Sequence, residues 1–255
     1  MNDRPVSEDT VPEPNAPKAP RKSRLIGIGL LTLFFFSVFI ALGAWQIERL
    51  SWKLDLIARV DARVHAPAAQ LPDEAAWGSV DAANDEYRHV TASGRFLHDR
   101  SALVYASTER GPGYWVLTPL QLDNGAIVYV NRGWVPTDRK EASSRAEGDT
   151  AGPVQVTGLL RITEPGGTLL RSNDPAEGRW YSRDVEAMGK TAGLSRVAPF
   201  FIDADDTPNQ GGLPVGGLTI VKFPNSHLSY ALTWFAMAAL SLVGGAILIR
   251  AERRR

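Results

Sequence analysis

His227, Tyr230 and Trp234 are spaced by three, four and seven residues, at one end of a run in which positions 223–249 hold no Asp, Glu, Lys or Arg. Residues so spaced share one face of a helix. An imidazole can offer a nitrogen lone pair, while a phenol and an indole offer flat apolar surfaces with a polar edge. Together they suit the binding of something flat that carries a metal or a hydrogen-bonding group. The stripe continues as Ala238, Ser241 and Gly245, so a wide aromatic mouth sits above a narrow track of small residues. Such a track also lets a second helix approach closely. A plainer reading stands beside this one, because Tyr and Trp are enriched at membrane interfaces for amphipathic reasons alone. An ionisable group at a membrane mouth leans towards function, but the stripe by itself does not separate the two.

Two elements must position these residues. About 20 apolar residues at a rise of about 1.5 Å cross a hydrocarbon core of about 30 Å, so residues 224–249 are predicted to span a membrane. Pro224 and Asn225 mark the start, one a poor interior helix residue and the other a good cap, which predicts a helix beginning at Ser226 or His227. A second uncharged run covers residues 25–47 behind Lys18, Arg21, Lys22 and Arg24. It is too long for a signal-peptide core and runs into Trp45, Gln46, Glu48 and Arg49 without a small-residue cleavage site, which makes it an uncleaved anchor. Basic residues before the first span and at Arg250, Arg253, Arg254 and Arg255 after the second place both termini in the cytoplasm. Residues 1–24 read as a disordered tail and 250–255 as a basic one, while 48–223 lie outside, in a bacterium the periplasm.

The outer segment begins with helical character over residues 48–64, ending before Pro67, and a loop over 66–86. Short β-branched and aromatic runs then predict strands at 87–96, 102–106, 114–121, 126–134 and 154–161, with a hairpin turn at Leu122-Asp123-Asn124-Gly125. Residues 140–152 read as a mobile loop, 182–191 as a short helix, and 200–203 and 218–222 as final strands. This pattern predicts an antiparallel barrel or sandwich between two transmembrane helices.

Composition removes several functions. Lys and Arg total 28, equal to Asp and Glu, which gives no support to a nucleic-acid binder, and the absence of cysteine excludes thiolate metal sites and cysteine nucleophiles. His65, His89 and His98 are too scattered for a zinc motif. Gly111-Pro112-Gly113 and Gly166-Gly167 are turn chemistry without a phosphate-binding lysine, and no serine-hydrolase elbow occurs. Tyr114, Trp115, Trp134, Trp180 and Tyr181 read as core and rim packing. An enzyme is not expected.

Four groups of residues carry a family resemblance. They are Gly43-Ala44-Trp45-Gln46 with Arg49, Trp52 and Lys53; the stretch from Gly111 to Pro119; Val130-Asn131-Arg132-Gly133-Trp134-Val135-Pro136; and Asn225, His227, Leu228, Tyr230 and Trp234. In this order the chain resembles the surfeit-locus cytochrome c oxidase assembly factors. The resemblance implies a non-enzymatic inner-membrane helper that binds haem a transiently during its insertion into oxidase subunit I. Subunit I and a haem a synthase are the partners it implies. The implied iron ligand is His227; by the chemistry of the residues themselves, Tyr230 and Trp234 on the same face would cover a macrocycle and the Trp45 end of the first helix would close the opposite side. The alternative within the family is a scaffold that holds subunit I ready for insertion, with His227 structural.

Overall fold

The computed structural model describes residues 22–254, and they divide into a helical unit and a β unit meeting at Asp55/Leu56 and Phe223/Pro224. The tail expected over 1–24 falls almost wholly outside the described residues, as do Lys18, Arg21 and Arg255.

Helix α1 covers Lys22–Val64, about 65 Å of continuous helix. Its N-terminal part is apolar. Beyond Ile47 charged residues alternate with Leu50, Leu54 and Ile57, so the helix continues past the uncharged run and its last turns belong to the β unit. Helix α3 covers His227–Arg254, starting where the Pro-Asn signal places it. The two run antiparallel, with Arg24 beside Glu252 (3.6 Å) at one end, Phe39 stacked on Trp234 in the middle and Gln46 beside His227 at the other. Gly43 lies under the Phe235 ring and Gly245 against Thr32, and a Cβ at either glycine would collide with that neighbour. Ala231 and Ala238 are buried between these contacts. The small-residue track is therefore the face that admits the second helix. Leu30, Leu33, Leu232 and Leu240 stay exposed on the outside, an apolar sheath that suits lipid and does not suit the core helix of a water-soluble protein.

The β unit is a five-stranded barrel with two added strands. Strands β2 (His89–Phe96), β4 (Gly111–Leu122), β5 (Ile127–Pro136), β6 (Pro153–Ile162) and β7 (Val197–Ala204) close in the order β2-β6-β7-β5-β4, the ring completed by Gly94–Phe96 pairing with Leu120–Leu122. β3 (Ala102–Thr108) extends β4, and the two-residue β1 (Ala69–Gln70) runs parallel to β2. Alternation sorts β5: Val128 and Val130 join Leu120, Leu160, Phe200 and Ile202 in one cluster, while Tyr129 packs with Leu117 and Phe201 under Trp180, Val185 and Met188. Those last two side chains come from α2 (Val185–Thr191), whose first turn is capped by Asp184 accepting from Ala187 N.

Four expectations need correction. The barrel is mixed rather than antiparallel, because β5 and β7 pair in parallel. In the chain β6 lies between the two and pairs antiparallel with β7, so β7 returns in the direction of β5 and beside it, an adjacency that strand signals alone do not encode. Residues 218–222 form no strand; their backbone passes along the barrel, tied by Thr219 Oγ1 donating to Asp203 at 3.0 Å. The stretch read as loop over 66–86 holds β1 and a 3₁₀ helix, Glu74–Ser79, whose Trp77 is buried against Phe200, and 140–152 likewise contains a 3₁₀ helix, Ala142–Gly148.

Candidate site at the end of the helix pair

His227 is the first residue of α3, and its backbone N–H reaches Asn225 Oδ1 at 3.4 Å. Its ring lies partly buried against α1, with Nδ1 2.8 Å from Oε1 of the buried Gln46. With the Gln46 carbonyl oxygen facing the ring, the bond is the one an imidazole makes through an Nδ1 proton. The contact orients the imidazole, and in the neutral tautomer that makes it, Nε2 is the nitrogen able to ligate a metal or accept a hydrogen bond. One helical face further, Trp234 stacks on Phe39 with centroids 5.8 Å apart and planes 22° from parallel.

The structure thus brings His227 and Trp234 onto the face that meets α1. It does not gather the other two expected residues there. Tyr230 and Trp45 are 55% and 51% exposed, on the outer surface of the helix pair. Gln46 is the residue that sequence reasoning passed over as a site member, although an amide in the last apolar turn of a span is itself a signal. Phe39 carried no signal, since it is one of several phenylalanines in an apolar run.

In the β unit the buried acidic and basic side chains Asp85, Arg132 and Asp203 are all engaged in hydrogen bonds. Asp203 is 2% exposed and accepts from Asn131 Nδ2 (2.8 Å), Arg161 Nη1 (3.0 Å), Arg183 Nη1 (3.3 Å) and Thr219. Burial alone would raise the Glu164 carboxyl, but hydrogen bonds and charge from Arg183 bring it below its ordinary value. His65, His89 and His98 each bond a backbone carbonyl, of Asp61, Ala66 and Thr150. Among the described residues no group of three or more His, Asp or Glu is placed to hold a metal. A cavity of about 460 Å³ beside β3 and β4 is lined by Arg100, Lys140, Tyr105, Tyr114 and Trp180. The hydrogen bond with Tyr105, together with burial, pushes the Tyr114 hydroxyl up to about 12, so it stays protonated at neutral pH.

A model of the SURF1 family matches residues 33–239, a span containing all of these helix-pair residues. The chain is similar to Surfeit locus protein 1 of Rattus norvegicus, 34% identical over 223 residues that cover 81% of this chain and 71% of the relative. It is 36% identical to Surfeit locus protein 1 of Mus musculus over 214 residues, 78% of this chain and 68% of that one. A SURF1-like protein of Monosiga brevicollis is 36% identical over 219 residues, 80% and 81% of the two chains.

Proposed function

Because the chain belongs to the SURF1 family, we propose that it is a cytochrome c oxidase assembly factor that binds haem a through His227 and assists its insertion into oxidase subunit I, without being an enzyme. The observation that carries this reading is the His227 Nδ1 to Gln46 Oε1 contact at 2.8 Å between two apolar helices. An imidazole that serves as a haem ligand commonly donates its other N–H to an acceptor, which orients the ring and raises its basicity. The donor set therefore fits: His227 would hold the group, Gln46 would hold His227, and the Trp234–Phe39 stack would lend an aromatic layer beside it. A bound haem would supply the iron that Nε2 ligates. Tyr230 and Trp45, exposed on the same end of the pair, would cover the macrocycle. A single protein ligand open to lateral exchange suits a carrier, which must release its cargo to the recipient.

The same reading places the chain in a bacterial inner membrane, both termini cytoplasmic and the β unit periplasmic, with a haem a synthase as the source of cargo. It is supported by the clustering of Lys22, Arg24, Arg250, Arg253 and Arg254 at the helix ends joined by the Arg24–Glu252 pair. A periplasm-active reporter inserted within residues 140–152 should be active, and cytoplasmic reporter activity would overturn the orientation. For the haem reading, Gln46→Leu should weaken haem retention by roughly 10–100-fold, as loss of an outer-shell partner does. Unchanged retention would sever Gln46 from the site.

A second reading, the haem-free scaffold, also has an observation behind it. His227 and Gln46 form an interhelical tie, and Trp234 is already covered by Phe39. Capture of subunit I by a chain that never acquires haem would select it.

A further inference from the structure

Residues Gly167–Ser172 form a small hairpin whose tip is apolar. Gly167 and Ser172 make an antiparallel bridge, Thr168 N donates to Arg171 O at 2.8 Å and Arg171 N to Thr168 O at 3.3 Å, leaving Leu169 and Leu170 as the two turn residues. They are 100% and 89% exposed. Two-residue turns favour Gly, Asn and Asp, so leucines there gain nothing from the turn and lose by facing water. The base of the hairpin is held firmly. Gly166 N donates to Asp184 Oδ2 (3.1 Å), Gly167 N to Ser182 Oγ (3.0 Å), and Asn173 Oδ1 accepts from Tyr181 and Ser182.

The contacts inside the β unit also say which side this tip springs from. Phe223, the last residue of the unit before α3, packs edge-on against Tyr87 at 6.2 Å. The Arg161 guanidinium lies over the same Tyr87 ring at 4.7 Å and pairs with Glu164 at 3.8 Å, two residues before Gly166. The hairpin therefore leaves the barrel beside the point where the chain departs for its second span. From Phe223 to His227 the chain can extend at most about 14 Å, and α1 enters the unit as unbroken helix. The apolar phase held at the highest effective concentration near this tip is the bilayer.

We propose that Leu169 and Leu170 insert into the interfacial layer of the membrane that α1 and α3 span. Arg171, whose guanidinium lies 5.4 Å from the Tyr181 ring centre, then stands at the level of anionic headgroups. The hairpin is then a third membrane contact of the chain, beside its two spans. The inference rests on the two helices being membrane-inserted, and its test reads that premise separately.

The chain contains no cysteine, so single reporters can be placed on the full-length protein. Leu169→Cys, Glu177→Cys and Leu240→Cys, each labelled with nitrobenzoxadiazole, are reconstituted in phosphatidylcholine–phosphatidylglycerol nanodiscs with and without doxyl-labelled lipid. The Leu169 probe should emit to the blue of the Glu177 probe and lose intensity with shallow doxyl lipid, while the Leu240 probe on α3 is quenched by deep doxyl lipid. Aqueous emission at Leu169 with Leu240 quenched overturns the proposal and leaves the spans standing. A blue shift at Leu169 without lipid quenching assigns the tip to a protein surface and also overturns it. Failure of Leu240 to quench overturns the premise itself.

Discussion

Replacing Asp203 by Ala tests whether the β unit depends on its one deeply buried carboxylate. The side chain is 2% exposed and accepts from Asn131, Arg161, Arg183 and Thr219. Removing one partner of a buried charged pair costs roughly 3–5 kcal/mol when the other charge is left uncompensated. Here compensation is partial, since Arg161 keeps Glu86 at 3.2 Å and Arg183 keeps Glu164 at 2.5 Å. The loss should therefore fall near the low end, about 3 kcal/mol, against a total stability of roughly 5–15 kcal/mol. For a unit of roughly 170 residues, that lowers the unfolding midpoint by about 6–12 °C. The assay is thermal unfolding of the full chain in detergent, followed by tryptophan fluorescence. Arg179→Ala is the comparison: its pair with Asp174 is as short as 2.7 Å but exposed, and exposed pairs are worth at most about 1 kcal/mol. An Asp203→Ala midpoint no lower than that of Arg179→Ala would refute the reasoning and show the cluster to be solvated.

Other outcomes follow from the same structure. Glu164 has a folded pKa lowered from 4.5, so its stabilisation is complete above the unfolded value and is lost as pH falls through the folded one. Glu164→Gln should thus be less stable at neutral pH and flatter on acidification, and identical acid limbs would contradict this. Gly245→Ala should loosen the helix pair by about 1–3 kcal/mol by driving a methyl into Thr32. Gly244→Ala, with open space around it, should be neutral or gain up to about 1 kcal/mol in helix propensity, with circular dichroism melting reporting both. At Gly133 φ is +128° and a Cβ would strike the Val215 carbonyl, so Gly133→Ala should cost about 2–4 kcal/mol. Gly111→Ala, at φ +103° but in open space, should cost only about 1–2 kcal/mol, and equal costs in urea unfolding would dismiss the steric argument.

The legible features were those written in local chemistry. Charge-free runs marked both long helices, Pro224-Asn225 marked the first turn of α3, and Leu122-Asp123-Asn124-Gly125 marked a turn closed by Gly125 N donating to Leu122 O. Six strands showed themselves by β-branched and aromatic runs, and α2 falls within the stretch 182–191 read as a short helix. Features set by long-range contact were not legible. The parallel β5–β7 pairing depends on where a crossover lands, and β1 is too short to carry a pattern. Leu218 to Lys222 reads as a strand by composition yet finds no ladder, and the Thr219 side chain donates to Asp203 instead. Asp203, Arg161 and Arg183 are ordinary surface types scattered over the sequence, and only barrel closure buries them together. At the helix pair, helical spacing put His227 and Trp234 on one face but counted Tyr230 there too, which stands exposed. The His227 partner Gln46 comes from 181 positions away, and spacing within one helix cannot reveal that.

The most direct test of the central proposal is the visible spectrum and pyridine haemochrome of the detergent-purified full chain from cells that also make haem a, compared with His227→Ala. The intact chain should carry haem a, and the substitution should remove it or shift its spectrum while the protein still captures subunit I. Equal haem content and identical spectra in the two proteins would show that His227 is not the iron ligand.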